Sequence, residues 1–302
     1  MGDEDMITVQ EYLGEKGCEA DLAELICLIA EQAGPIRSAF ISHQRYATSL
    51  NTSGEVQAEM DTWSDTHITT VLAHSGLVSL IASEEQEKVY ECRNSTGRYS
   101  VVMDPLDGSS LIAVNLAVGT IVGIYEGRSV LRKGNEMKAA LYLLYGPMTT
   151  LTLSVGSGVA LFSQADDGRY LLMEDSITLP EGTIYGSGGE RPKWTKKHTS
   201  FITALEAEGA KSRYSGSFVA DFHQILRYGG LYAYPAAHGK PEGKLRLVFE
   251  AQPIGFLAEQ AGGRISNGSS DLLDILPEEV HQKTPIYVGS RGIIERLEAL
   301  PE

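Results

Sequence analysis

Tyr99-Ser100-Val101-Val102-Met103-Asp104-Pro105-Leu106-Asp107-Gly108-Ser109-Ser110 is the stretch that decides how the rest of the chain is read. Val101 and Val102, followed by Met103, fit the end of a buried strand. Asp104 and Asp107 come next, with Pro105 between them. The proline ring fixes its own φ and biases Asp104 away from helix, so a sharp turn is expected here. Gly108, Ser109 and Ser110 then offer backbone N–H groups at a strand end, which is a cradle for an anion. The two carboxylates beside it supply the hard oxygens that Mg²⁺ takes, often shared with a phosphate. The bland alternative is an Asx-type turn held by its own Asp and Ser side chains.

Composition narrows the function classes. A chain of 302 residues, 42% of them hydrophobic, can bury a sizeable core as one large or two smaller domains. A soft boundary falls near Pro180 to Gly182, giving units at 1–181 and 182–302. With 25 Lys and Arg against 40 Asp and Glu, the net charge is −15. That argues against nucleic acid or an anionic membrane as partner. It also means that a phosphorylated ligand needs local cations to overcome the global repulsion. Cys18, Cys27 and Cys92 show no C-x-x-C spacing and read as reduced thiols of a cytoplasmic protein. No secretory signal, membrane-length apolar run or internal repeat is expected.

Along the chain, residues 1–18 read as acidic and loosely held. Apolar residues at 22, 25, 26, 29, 30 and 33 predict a packing helix over 19–33, stopped by Gly34-Pro35. The polar stretch 43–54 reads as a mobile loop. Asp61 leads into a helix that runs to about Ala73 and ends at Gly76. Strands are expected over 77–82, 99–103, 118–125, 139–145, 149–155, 159–163, 170–173, 184–185, 231–234 and 285–288. Helices are expected over 195–208, 218–228, from Pro253 to Gly262-Gly263, and over 291–299. The strand over 77–82 ends in Ser83-Glu84-Glu85, and the strand over 99–103 also ends in acids. Two strands delivering carboxylates to one sheet edge is an α/β active-site arrangement.

Asp61, Glu84, Glu85, Asp104, Asp107 and Glu250 would repel one another if gathered without metal ions. A multi-carboxylate Mg²⁺ site suits phosphate ester hydrolysis, with Glu84, Glu85 or Asp61 taking a proton from water. Spacing alone does not bring these residues together. Lys211 to Ser217 and Lys240 to Arg246 are basic segments, unusual in so acidic a chain.

Several ordered strings then resemble the fructose-1,6-bisphosphatase family, within the lithium-sensitive, metal-dependent sugar phosphatases. They are Ala82-Ser83-Glu84-Glu85, the Asp104 to Ser110 signature, Val118-Gly119-Thr120-Ile121-Val122-Gly123-Ile124-Tyr125, Arg213-Tyr214-Ser215-Gly216-Ser217-Phe218-Val219-Ala220-Asp221, Tyr228-Gly229-Gly230, Gly243-Lys244-Leu245-Arg246-Leu247 with Glu250, and Glu279-Val280-His281-Gln282. The resemblance implies an α/β fold in αβαβα layers with two mixed sheets. It implies a cytoplasmic enzyme of gluconeogenesis, a homotetramer or homodimer, that removes the 1-phosphate of fructose 1,6-bisphosphate. The cofactor it implies is Mg²⁺, two or more ions per site, with Mn²⁺ as a substitute.

By position, the resemblance makes Glu84, Glu85, Asp104, Asp107, Glu250 and the Leu106 carbonyl metal ligands. Asp61 and Glu85 orient and deprotonate the attacking water. Gly108, Ser109 and Ser110 surround the 1-phosphate, while Tyr214, Tyr234 and Lys244 hold the sugar and the 6-phosphate. Arg213 reaches into the neighbouring subunit's site. Four positions depart from the family. Glu55 replaces an Asp on a mobile loop, Phe218 a Met near the sugar, and Gly188 an Asn at the 6-phosphate, where backbone N–H groups are expected to substitute. The Thr of the AMP-binding Gly-Glu-Leu-Thr string is Ala23, in Ala20-Asp21-Leu22-Ala23, although Arg98 and Tyr99 match an AMP-contacting pair. Competing readings are a sedoheptulose-1,7-bisphosphatase or dual enzyme, an inositol monophosphatase-like enzyme, which leaves the distal cations unexplained, and an inactive metal-binding module.

Overall fold

The computed structural model describes residues 6–40, 46–50, 56–92 and 97–301, with the backbone alone at 46–50 and 56–58. The helices are α1 (Val9–Glu15), α2 (Ala20–Glu31), α3 (Ala33–Ala39), α4 (Glu59–His74), α5 (Lys196–Ala207), α6 (Phe218–Tyr228), α7 (Gln252–Gln260) and α8 (Arg291–Glu298). A ribbon pairs β1 (Tyr46–Leu50) with β2 (Val56–Ala58). The larger sheet uses β3 (Val78–Ser83), β4 (Tyr90–Glu91), β5 (Tyr99–Asp107), β6 (Val118–Glu126), β7 (Ala139–Tyr145), β8 (Thr149–Ser154), β9 (Ala160–Gln164) and β10 (Tyr170–Glu174). Its order is β10-β9-β8-β7-β6-β5-β3-β4, and only the β3–β5 pair runs parallel. The smaller sheet uses β11 (Ile184–Ser187), β12 (Lys211–Ser212), β13 (Leu231–Tyr234), β14 (Arg264–Ser266) and β15 (Ile286–Gly289). Its order is β12-β11-β13-β15-β14, with β11 parallel to both neighbours and the other pairs antiparallel.

Period-2 alternation builds the layers, because successive strand side chains face opposite ways. Val101 and Met103 of β5 pack with α1 to α4, whereas Val102 faces the core shared with α6 and α7. In β13, Tyr232 faces that same central core, while Leu231 and Ala233 pack against α5 and α8. The result is helix, sheet, helix, sheet, helix: the αβαβα arrangement with two mixed sheets. Among the described residues no helix is long and apolar enough to cross a membrane. Cys18, Cys27 and Cys92 are free thiols.

Three expectations need correction. Within 1–18, residues 8–15 are firmly structured: Thr8 and Glu11 form a reciprocal capping box, and α1 buries Val9, Tyr12 and Leu13. Gly34-Pro35 does not stop helical structure, because both lie in the first turn of α3. The missing proline N–H costs nothing there, since first-turn N–H groups have no intrahelical partner. The expected loop over 43–54 contains β1, which pairs with β2.

Candidate active site

The parallel pair β3–β5 delivers acids to one end of the large sheet. Ser83 lies opposite Met103, and the Glu84 N–H donates to the Met103 carbonyl at 3.1 Å, extending the ladder by one step. β5 does not turn at Pro105. It continues to Asp107 through a bulge, with Asp104 opposite Ile121 and Asp107 opposite Gly119 on β6. Pro105 has no N–H to give a ladder, and a bulge is where a sheet tolerates that loss. Thr120 Oγ1 donates to the Pro105 carbonyl at 2.9 Å. Asp104 Oδ1 accepts the Leu106 N–H at 3.0 Å, so the Asx-type contact is present as well. It sets the direction of a buried carboxylate.

Glu250 arrives from the central helical layer. It lies in a single π-helical turn, Leu247–Ala251, that runs directly into α7. Such turns are rare and gather at functional sites. Pro253, without an N–H, follows the turn where the wider ladder gives way to α-helix. Carboxylate oxygens of Glu84, Asp104 and Glu250 all lie within 4.8 Å of one another. Burial, and then the Glu84 charge, push the carboxyls of Asp104 and Glu250 well above the ordinary range. Arg246, itself buried, is the nearby counter-charge. Its Nη2 lies 3.5 Å from Glu84 Oε1, and its backbone N–H donates to Glu250 Oε2 at 2.6 Å. Among the described residues this guanidinium does not balance these acids, and the imbalance with hard oxygen donors fits a divalent cation.

Asp107 is anchored from the other side of the cleft. Its Oδ2 accepts Ser217 Oγ at 2.7 Å and the Val219 N–H at 2.8 Å, at the N-terminus of α6. Helix N-termini favour negative charge. Burial raises its carboxyl, and these donors with Lys244 offset part of that rise. Gly108 takes φ +80°, and a Cβ there would sit 2.7 Å from Ser217 Cβ. A 3₁₀ turn, Ser109–Val114, follows. Ser109 Oγ donates to Asp61 Oδ2 at 3.0 Å, tying the α4 acid to the amide cradle.

A polar cleft of about 250 Å³ joins these groups. Its lining comprises Asp61, Glu84, Glu85, Asp104, Leu106, Asp107, Gly108, Ser109, Ser110, Tyr214, Gly216, Phe218, Tyr232, Tyr234, Lys244, Leu245, Arg246 and Glu250. The cleft thus joins the carboxylates with Tyr214, Tyr234 and Lys244, whose ammonium lies 6.0 Å from the Tyr234 ring centre. Arg213 does not line this cleft; its guanidinium stacks over Tyr228 at 5.6 Å. Glu55 lies outside the described residues. The Gly188 N–H is not free for a ligand, because it donates to the Ala233 carbonyl at 2.9 Å.

Sequence reasoning singled out neither Arg246 nor Ser217 as a site residue. Arg246 was visible as one cation in a basic segment and within a family-like string, and burial selects it. Ser217 was legible as the cap of the helix beginning at Phe218, while its second partner, Asp107, lies in another layer.

Acids from two strands and a π turn, an amide and hydroxyl cradle, and a distal lysine with two tyrosines define a layered α/β phosphatase. Residues 20–175 match the family model for the fructose-1-6-bisphosphatase N-terminal domain, and residues 178–302 that for its C-terminal domain. The class 1 fructose-1,6-bisphosphatase of Methanocorpusculum labreanum is 63% identical over 98% of this chain and 92% of its own length. That of Methanospirillum hungatei is 53% identical over 98% and 95%. The holo crystal structure of Leishmania major fructose-1,6-bisphosphatase superposes with a TM-score of 0.92 at 30% identity, covering 97% of this chain and 98% of that one. The chain belongs to the fructose-1,6-bisphosphatase family.

Proposed function

We propose that this chain hydrolyses the 1-phosphate of fructose 1,6-bisphosphate, releasing fructose 6-phosphate and phosphate, as a cytoplasmic enzyme of gluconeogenesis. One observation carries the reading. A single cleft is lined both by the acid cluster of Glu84, Asp104 and Glu250 and by Lys244 with Tyr214 and Tyr234. A monophosphate would leave one of the two sets unused.

Glu84, Glu85, Asp104, Asp107, Glu250 and the Leu106 carbonyl would hold Mg²⁺, two or more ions per site, with Mn²⁺ as a substitute. When bound, the cations activate water and neutralise charge on the phosphoryl oxygens. Gly108, Ser109 and Ser110 present N–H and hydroxyl donors to those oxygens. Asp61, oriented by Ser109 Oγ, and Glu85 receive the proton of the attacking water. The bond between phosphorus and the sugar oxygen breaks. Tyr214, Tyr234 and Lys244 grip the 6-phosphate, which fixes which ester meets the acids.

In this reading residues 1–181 form the unit with most metal ligands, and 182–302 the unit with the distal contacts and Glu250. A homodimer or homotetramer belongs to it too. Its support is that Arg213 stands outside its own cleft, where it can serve a neighbour. The test is kcat/KM on a panel in Mg²⁺. Fructose 1,6-bisphosphate should exceed fructose 1-phosphate, inositol monophosphate and sedoheptulose 1,7-bisphosphate. Equal values for mono- and bisphosphates would contradict the reading.

A further inference from the structure

Asp65 is a buried carboxylate that does not line the cleft. It follows Asp61 by one turn of α4, so the two share a face of that helix. Its partner is Gln86, directly after the Glu84-Glu85 corner. Gln86 Nε2 donates to Asp65 Oδ1 at 3.1 Å and Oδ2 at 2.9 Å, and to Thr69 Oγ1 at 3.0 Å. An ionised carboxylate only accepts, which fixes the amide with its nitrogen towards Asp65. Burial raises the Asp65 carboxyl, and hydrogen bonds from Ser83, Gln86 and Thr69 offset part of that rise. Ser83 Oγ in turn accepts the Glu85 N–H at 3.3 Å. Asp65 therefore holds both ends of the corner, Ser83 before it and Gln86 after it.

A second segment holds the backbone of Gln86. Its carbonyl accepts His281 Nε2 at 2.9 Å, so that nitrogen carries the proton. The His281 ring meets Phe249 edge to face, 5.3 Å between centroids, and Phe249 precedes Glu250 in the π turn. Gln282 accepts the Leu247 N–H at 2.8 Å, at the first residue of the same turn. Gln86 thus links α4, which carries Asp61, to the corner that carries Glu84 and Glu85 and to the segment that braces Glu250. Neither Gln86 nor His281 lines the cleft. Glu84, Asp104 and Glu250 repel one another at their close spacing, so the corner needs a mount outside the cleft to stay near them.

We propose that Gln86 is a positioning residue for the metal ligands, clasping the Glu84-Glu85 corner between Asp65 of α4 and His281 beside the π turn. The inference rests on the metal-dependent reading above.

The probe is Mn²⁺, titrated into the metal-free enzyme and followed by the electron paramagnetic resonance signal of the free ion. The Mg²⁺ concentration for half-activation is measured beside it. Gln86→Met keeps side-chain length and charge and removes the amide. The Mn²⁺ dissociation constant and the Mg²⁺ half-activation point should each rise about tenfold or more, the range typical when a partner that orients a ligand is lost. The unfolding midpoint in chelator records any purely structural loss separately. Asp65→Asn combined with Gln86→Glu conserves net charge and rebuilds an amide-to-carboxylate contact with the roles exchanged. Both metal readouts should return toward the wild-type values. His281→Phe keeps a ring against Phe249 and removes the donor to the Gln86 carbonyl. It should raise both readouts as Gln86→Met does, and it keeps the test open should Gln86→Met fold poorly. A wild type that binds no Mn²⁺ and turns over in chelator overturns the metal reading, and this inference with it. A wild type that binds Mn²⁺, alongside Gln86→Met or His281→Phe binding it equally well, overturns the inference alone, whatever the midpoints. So does an exchanged pair no better than Gln86→Met.

Discussion

Ser217 Oγ donates to Asp107 Oδ2 at 2.7 Å, joining residues 110 positions apart in sequence and in different layers of the fold. The same hydroxyl caps α6 through the Ala220 N–H at 3.3 Å. Ser217→Ala removes both contacts. Loss of the cap and of a hydrogen bond to a charged group should cost about 1–3 kcal/mol, read as a lower unfolding midpoint. Asp107 would also lose its aim, so the Mg²⁺ concentration for half-activation should rise about tenfold, as for other residues that orient a metal ligand. An unchanged Mg²⁺ requirement would show that Val219 suffices to hold Asp107.

AMP sensitivity should be weak or absent. In the family resemblance, the first packing helix presents its N-terminus to the AMP phosphate. Here Glu19 occupies the N-cap position of α2 without a side-chain capping bond; its carboxylate pairs with Arg98 and accepts the Tyr99 hydroxyl at 3.3 Å. Arg98 is further tied to Glu126 at 2.7 Å. A carboxylate of the chain itself already holds the groups that a nucleotide phosphate would need, and it repels that phosphate. Titration of AMP against initial rate should show no inhibition at physiological concentrations. In Glu19→Ala any inhibition should move to lower AMP. Cooperative inhibition of the wild type at low micromolar AMP would contradict this.

The acid cluster gives stability a pH dependence with a defined sign. In the metal-free protein, burial and mutual repulsion raise Asp104 and Glu250 above their unfolded values. The folded state then binds more protons than the unfolded one. Stability from these groups is present below the ordinary carboxylate range, about pH 4, and is lost as pH rises through the raised values. A divalent cation competes with those protons and replaces their effect. The rise in unfolding midpoint on adding Mg²⁺ should therefore grow from pH 5 to pH 8, scans that differential scanning fluorimetry provides. At about a hundredfold excess over Kd the gain is about 2.7 kcal/mol. A gain that shrinks with rising pH would oppose the assigned ligands.

Lys244→Ala should act on binding. Its ammonium lies beside Tyr234 in the cleft that the acids also line. A contact made equally in ground and transition states raises KM and leaves kcat. An increase of about tenfold to a hundredfold is expected for fructose 1,6-bisphosphate. A fall confined to kcat would place Lys244 in the chemical step.

Much of this was legible because alternation and capping are local. The spacing that predicted helix 218–228 and strand 231–234 reproduces α6 and β13 to the residue. Proline rules failed twice, for reasons the neighbours supply. β5 accommodates Pro105 in a bulge against β6, and α3 uses Pro35 in its first turn. The Thr8 and Glu11 capping box was present in the sequence and could have announced α1. The π turn under Glu250 has no such signature. Glu84, Asp104 and Glu250 converge only through the stacking of layers, which spacing does not encode. Gly188 looked like a flexible turn, and its packing against two tyrosines needs the assembled sheet.

The most direct measurement follows ³¹P resonances of fructose 1,6-bisphosphate with the enzyme in Mg²⁺, then with excess chelator. The account predicts loss of the 1-phosphate signal, appearance of inorganic phosphate, a retained 6-phosphate, and no reaction after chelation. Loss of the 6-phosphate, loss of both esters at equal rates, or turnover that continues unchanged in chelator would contradict it.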